Sequence, residues 1–178
     1  MIRSLERRFD ISELRSQLDA NEDIWDQYRF RTQSERSPHR ECSDIWVRYN
    51  DLKNMGPYFN DEHESVWYPI SDKIPAVKKL CAEVLGVFDC REFGGVLITK
   101  IPPHGQVYPH SDHGWHAEHY EKFAILLRGN YEQTFCFDGF EHRCEPGESF
   151  TFNNQYRHWV KNPTDVPRET LIICARKH

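Results

Sequence analysis

Between Val96 and Ala175 short apolar runs alternate with turn residues: Val96 to Ile101, Phe123 to Arg128, Tyr131 to Phe137, Ser149 to Phe152, His158 to Lys161 and Glu169 to Ala175. Runs of this length, broken by Gly, Asn, Asp and Pro, are the pattern of strands in a β-sandwich or barrel. Gly129-Asn130, Asp138-Gly139 and Pro146-Gly147 are the expected hairpin turns. The first ninety residues differ. Asp10 followed by Glu13 is capping-box-like, and Ile11, Leu14 and Leu18 recur behind it at helical spacing, which predicts a helix from about Ile11 to Ala20. Pro75 suits a first helical turn, and Val77, Leu80, Cys81, Val84, Leu85 and Phe88 follow at intervals of three and four, predicting a second helix. Residues 31–65 mix Arg, Ser, Asn, Asp and Pro around Trp46-Val47-Arg48-Tyr49 and Pro57-Tyr58-Phe59, and are expected to form loops that dock through rings. The expected organisation is a single domain over residues 1–178, mainly β with N-terminal helices: a helical and irregular support over 1–93 and a β core over 94–178.

Composition narrows the functional classes. Of 178 residues, 38% are hydrophobic and 13% aromatic, enough for a sizeable core. The 28 acidic side chains outnumber the 23 basic ones, so the net charge of −5 offers no general attraction to phosphate backbones. No nucleic-acid partner is expected, although the Arg residues between Arg29 and Arg40 could form a local basic patch. No stretch approaches the roughly 20 apolar residues that span a bilayer, and Met1 to Arg8 lacks the apolar block of a secretion signal. No membrane partner and a cytoplasmic location are expected, while nothing in the string sets an oligomeric state. Cys42, Cys81, Cys90, Cys136, Cys144 and Cys174 lie scattered and are expected as reduced thiols rather than disulfides or zinc ligands.

The candidate chemistry starts at His110-Ser111-Asp112. Residues two apart on an extended segment share a side, so an imidazole and a carboxylate converge. His158 opens a later strand and supplies a second imidazole. Two neutral imidazoles and one carboxylate cover one face of an octahedral ion and leave three positions open, the arrangement of non-haem Fe(II) oxygenases. His110, Asp112 and His158 are therefore the expected metal-binding and catalytic residues. Arg168 opens the last strand, where a lone inward charge needs a partner; its planar guanidinium matches a carboxylate in a two-pronged contact. A chelate site with such an anchor suits 2-oxoglutarate. The bland alternative is a strand-edge cation balanced by Asp165 or Glu169. His113, His116 and His119 follow or flank the helix-breaking Gly114 and are expected in a loop lining the pocket mouth. His104 and Gly105 are expected to make a turn, and Tyr108 either walls the pocket or packs.

Three segments carry a family resemblance. Thr99 to His110, with Ile101-Pro102-Pro103-His104-Gly105 inside it, resembles the segment leading to the first iron His of the aspartyl/asparaginyl β-hydroxylase family of Fe(II)/2-oxoglutarate dioxygenases. Glu145-Pro146-Gly147-Glu148 through Asn153-Asn154-Gln155-Tyr156-Arg157-His158 resembles that family's second-His segment, and Val166-Pro167-Arg168-Glu169 its closing Arg strand. The resemblance covers about residues 94–176. It implies a double-stranded β-helix, a jelly-roll or cupin-like barrel, that holds Fe(II) and uses 2-oxoglutarate and O2. It also implies hydroxylation of a substrate C–H bond as 2-oxoglutarate is decarboxylated to succinate. By the same carry-over Thr99 and Lys122 touch 2-oxoglutarate beside Arg168, and the substrate is a peptidyl Asp or Asn or a small amino-acid-like molecule. One departure matters: the family's best-known members lack an acid two residues after the first His, whereas Asp112 stands there. The main rival starts from Pro146-Gly147, His158 and Asn162, which resemble the second cupin motif and imply a metalloprotein that does not use 2-oxoglutarate. A non-catalytic binding barrel is the third class.

Overall fold

The run Phe123-Ala124-Ile125-Leu126-Leu127 lacks polar alternation because both faces of its strand are covered, which the computed structural model, describing residues 2–177, makes plain. In chain order the elements are β1 (Ile2–Arg8), α1 (Ser12–Ala20), β2 (Ser43–Asn50), β3 (Ser65–Trp67), α2 (Ala76–Val87), β4 (Cys90–Ile101) and β5 (Gln106–His110). There follow α3 (Trp115–His119), β6 (Glu121–Arg128), β7 (Thr134–Phe137), β8 (Phe140–His142), β9 (Glu148–Phe152), β10 (His158–Lys161) and β11 (Arg168–Lys177). All strand pairs are antiparallel. A seven-stranded sheet runs β1-β9-β6-β11-β4-β2-β3, and a four-stranded sheet runs β5-β10-β7-β8. This is the double-stranded β-helix, mainly β with helices laid on one face. β11, the last strand in chain order, sits between β6 and β4 in the middle of the large sheet.

Two cores follow from strand alternation. Phe123, Ile125 and Leu127 of β6, with Leu171 and Ile173 of β11, face α1 and α2 and meet Leu14, Leu18, Val77, Leu80 and Val84. Ala124 and Leu126 point the other way, into the space between the sheets, with Phe135, Phe137, Phe150, Phe152 and Val160. The same parity sends Arg168, Thr170 and Ile172 of β11 into the barrel and leaves Glu169 on the helical side.

Both expected helices form. At α1 the Asp10 carboxylate accepts from Ser12 N at 3.0 Å, while Glu13 bonds Lys79 of α2 instead of closing the box. Asp138-Gly139 turns β7 into β8, with Gly139 at φ 78° in the region glycine tolerates. The other two expected hairpins are different objects: Gly129-Asn130 and Pro146-Gly147 each carry the chain from one sheet to the other, so their flanking strands do not pair. The strand expected from Tyr131 starts at Thr134, leaving Tyr131 exposed. The segment expected as helical and irregular support also supplies strands. β1 pairs with β9, and β2 and β3 extend the other edge beyond β4. In β2, Ile45 and Val47 are buried against the helical core, and past a register irregularity between Trp46 and Arg48 the Tyr49 ring packs on Trp46, so the ring-bearing stretch expected as loop is sheet. The residues after Gly114 form the short helix α3 rather than a loop, because Gly114 at φ 90° precedes the helix instead of interrupting it. Among the described residues no helix is long and apolar enough to cross a membrane.

Candidate functional site

His110 closes β5 and His158 opens β10, and the two strands pair with these residues in direct register. Cross-strand partners present side chains to the same face, so residues distant in the chain become neighbours, with ring centroids 4.3 Å apart. Asp112 lies just past β5, its backbone N–H bonded to the Asn154 carbonyl at 2.8 Å, and its Oδ1 is 3.4 Å from His110 Nε2. One ligand atom from each of His110, Asp112 and His158 lies within 4.8 Å of the others. Each imidazole donates Nδ1–H to the carbonyl two residues back, His110 to Tyr108 and His158 to Tyr156, both at 2.8 Å. That bond fixes the tautomer and leaves each Nε2 lone pair free. Two free imidazole nitrogens and a carboxylate are a donor set that fits a divalent transition metal with open positions.

The surroundings keep these groups in ligand form. His158 stacks on Phe135 at an interplanar angle of 5° and abuts Phe137 and Phe152; burial pushes its pKa down to about 4, so it is neutral at pH 7. Burial works against the Asp112 charge, but the Lys122 ammonium and the Asn154 amide outweigh it and hold the carboxyl well below the usual carboxylate range. Asn154 Nδ2 donates to Asp112 Oδ2 at 2.9 Å.

Two chambers meet at this cluster. A narrow inner one of about 50 Å³ lies between the sheets and is lined by Thr99, Lys122, Thr170 and Arg168 among others. Arg168 is 1% exposed. Its Nη2 reaches the Cys144 sulfur at 3.8 Å, and among the described residues its Nη1 has no hydrogen-bond partner and no carboxylate pairs with it. The bland alternative for this cation does not hold: Glu169 pairs with Arg128 and Asp165 with His104. Thr99 lines the chamber, its hydroxyl accepting from Arg31. Lys122 also lines it, but its ammonium is ion-paired with Asp112.

The outer chamber, about 920 Å³, opens from His110 and Asp112 toward the surface. His113 and His116 line it; His119 instead meets Glu92 at 2.7 Å. Tyr108 packs, with the Arg40 guanidinium 3.3 Å from its ring centre and its hydroxyl on Glu41. Sequence reasoning missed Arg31, His39, Asp44 and Asn154. Arg31 lines both chambers and grips Asp44 twice, at 2.8 and 3.0 Å, and donates to His39 Nε2 at 3.0 Å. Asp44 sits directly opposite Thr99 across β2 and β4, which is why this cluster reaches the inner chamber. The available signal was the alternation of Ile45 and Val47, which places Asp44 and Trp46 on the opposite face. Asn162 is buried and structural: its amide donates to the Pro102 and Val166 carbonyls at 2.9 Å, tying loops together.

A family model of the cupin domain matches residues 98–174, the stretch from within β4 to within β11. No curated protein sequence matches the chain. Among solved structures, a viral collagen prolyl hydroxylase from Paramecium bursaria Chlorella virus-1, in complex with 2-oxoglutarate, is similar over 99% of this chain and 96% of its own, with a TM-score of 0.56 at 11% identity. An oxidoreductase of the 2-oxoglutarate-Fe(II) oxygenase family from Burkholderia pseudomallei is similar over 77% of this chain and 68% of its own, with a TM-score of 0.54 at 13% identity. A cupin-superfamily sugar phosphate isomerase from Silicibacter pomeroyi gives a TM-score of 0.44 at 17% identity, over 86% of this chain and 69% of its own. At these identities the likeness is one of fold.

Proposed function

We propose that this protein is an Fe(II)/2-oxoglutarate-dependent oxygenase, a hydroxylase in reaction type, with His110, Asp112 and His158 as the iron ligands and Arg168 as the anchor for 2-oxoglutarate. The observation that carries the reading is the Arg168 guanidinium, buried beside the inner chamber without a carboxylate partner among the described residues. An unpaired buried charge costs several kcal/mol and is retained where a ligand of opposite charge completes it. A dicarboxylic keto acid meets this chemistry: on this reading one carboxylate pairs with Arg168 and the keto-acid end faces His110, Asp112 and His158, which line the same chamber. Bound iron supplies the activation of O2 that couples loss of CO2 from 2-oxoglutarate to oxidation of a substrate C–H bond.

The residues around the metal ligands have separable tasks. Tyr108 and Tyr156 carbonyls aim the two Nε2 atoms. Asn154 orients Asp112. Phe135, Phe137 and Phe152 keep water from His158. Arg31 holds the Thr99 hydroxyl beside the inner chamber, and Thr99 and Lys122 complete its polar lining. The resemblance to the aspartyl/asparaginyl β-hydroxylase family and the two oxygenase-fold neighbours support this reading; the cupin match leaves a 2-oxoglutarate-independent metalloprotein as its rival. The test is succinate formation with Fe(II), O2 and 2-oxoglutarate, including the slow turnover that such enzymes show without substrate. Succinate that disappears when either Fe(II) or O2 is withheld is expected. Metal-dependent O2 uptake that ignores omission of 2-oxoglutarate would favour the rival, and no O2 uptake with bound metal a non-catalytic barrel.

A further inference from the structure

The outer chamber combines size, rings and an absence of uncommitted charge. Its volume of about 920 Å³ lies near the top of the roughly 300–1,000 Å³ of small-molecule pockets, far more room than one amino acid occupies. Phe30, Trp46, Tyr49 and His116 form one wall, each ring centre within 4.9–5.3 Å of the next. This wall lies on glycine. A Cβ at Gly95 would stand 3.2 Å from both His116 and Tyr49, and one at Gly94 would overlap Tyr120 at 2.5 Å, so rings settle against β4 where any side chain would displace them. The Gly95 N–H donates to His116 Nε2 at 3.1 Å, which makes that imidazole an acceptor there and therefore neutral.

The charged side chains that line the chamber already have partners. Arg31 is held by Asp44 and Lys122 by Asp112. His39 accepts from Arg31 through Nε2 and is neutral for the same reason as His116. Toward solvent the lining becomes polar, with Gln33, Ser34, Asn60 and His113. Along the ring wall, away from the metal ligands, an amino acid or acidic peptide would lose water from its charges without gaining a free counter-charge, a cost of several kcal/mol. An uncharged ring system would instead stack on the wall and turn its polar edge to the rim.

We infer that the outer chamber takes an uncharged, ring-bearing small molecule whose hydroxyl or carbonyl groups meet Gln33, Ser34 and Asn60, in place of the amino-acid or peptidyl substrate that the family resemblance implies. That this molecule is the one oxidised rests on the oxygenase reading above; that it binds does not. The ring system sits between Trp46 and the metal ligands, with Ser34 at the exposed rim.

The experiment measures binding by calorimetry and saturation-transfer NMR to Mn(II)-loaded protein, with three probes: flavanone, a neutral ring ketone; N-acetyl-aspartate amide; and free asparagine. Flavanone is expected to bind at least about tenfold tighter than either amino-acid probe, with an affinity unchanged by salt. Ser34→Trp, at an exposed position, should weaken flavanone about tenfold by filling the mouth, and Phe30→Ala should weaken it by removing part of the wall. Tighter binding of the aspartyl probe, or flavanone binding indifferent to both variants, overturns the inference. Adding Fe(II) and 2-oxoglutarate separates the two claims. Succinate stimulated by the aspartyl probe and not by flavanone overturns the inference and leaves the oxygenase. Specific flavanone binding with no succinate from any probe supports the inference and overturns the oxygenase.

Discussion

The inner and outer chambers share His110, Asp112, Lys122, Arg31 and His39 in their walls, yet are built from opposite materials. The inner chamber is lined by Arg168, a full charge kept from water by the barrel core; the outer one is walled by rings and its charged groups are already matched. One is electrostatically incomplete and narrow, the other complete and roomy. A site of the first kind selects by charge and tolerates little variation in shape; a site of the second kind selects by shape and by neutral hydrogen bonds. On the proposed reading, the fold separates a fixed cosubstrate from a substrate that contact area must recognise.

The sharpest way to break the comparison is at the shared border. His158→Ala is expected to abolish succinate formation and to weaken Mn(II) binding by more than about 100-fold, since a direct ligand is lost and even an orienting partner is worth 10–100-fold. Calorimetric metal titration and flavanone binding in the same variant decide the matter: loss of the first with retention of the second shows that the chambers are separable.

Acid should reach the border next. With a folded pKa near 4 against about 6.5 unfolded, His158 resists protonation in the native state, so its contribution is present above pH 6.5 and is lost as pH falls toward 4. His116, held near 3 by burial, adds in the same direction. Metal-free protein is expected to lose stability between pH 6.5 and 4, on the order of 3 kcal/mol from His158 alone, measured by urea unfolding at stepped pH. A flat profile would contradict the buried neutral imidazole.

At the inner end, Arg168→Met separates function from stability. Removing one charged hydrogen-bonding partner of 2-oxoglutarate costs about 2–3 kcal/mol, roughly 30- to 150-fold in its KM. The same change removes an uncompensated buried charge, so the melting temperature is expected to hold or rise. A variant that melts well below wild type would show that the guanidinium has a structural partner after all.

The smallest effect is expected at Thr99→Val, which keeps volume but deletes the hydroxyl that Arg31 reaches. A loss of about 1 kcal/mol, roughly fivefold in the 2-oxoglutarate KM with little change in kcat, is expected from steady-state kinetics. An equal fall in flavanone affinity would mean that Arg31 couples the two chambers instead of dividing them.

The ligand cluster and Arg168 were legible in the string, while of the outer chamber only His113 and His116 were, for a physical reason. His110, Asp112, His158 and Arg168 stand at strand ends in a region of clear alternation, and polar residues at inward positions of apolar strands stand out. The outer wall comes from β2, α3 and the loop after Phe30, where selection is by shape. Rings that line a pocket and rings that fill a core look alike in a sequence, so Phe30, Trp46 and Tyr49 carry no mark of their position. Arg31 was hidden differently, as one cation in a basic cluster, and Asp44 opposite Thr99 is visible only once β2 and β4 are paired. The edge strand β1, whose residues are mostly exposed, offers almost no apolar alternation to read.

The place of β11 between β6 and β4 bears on how the molecule is made. A ribosome extrudes both flanking strands long before the one that joins them, so during synthesis β4 and β6 each wait with an open edge and the two halves of the large sheet stay unlinked. Closure is a late, non-local event of the slow kind, and chaperone capture or aggregation competes with it. Because Arg168 opens β11, the buried guanidinium takes its place in the barrel in the same moment as the sheet itself closes.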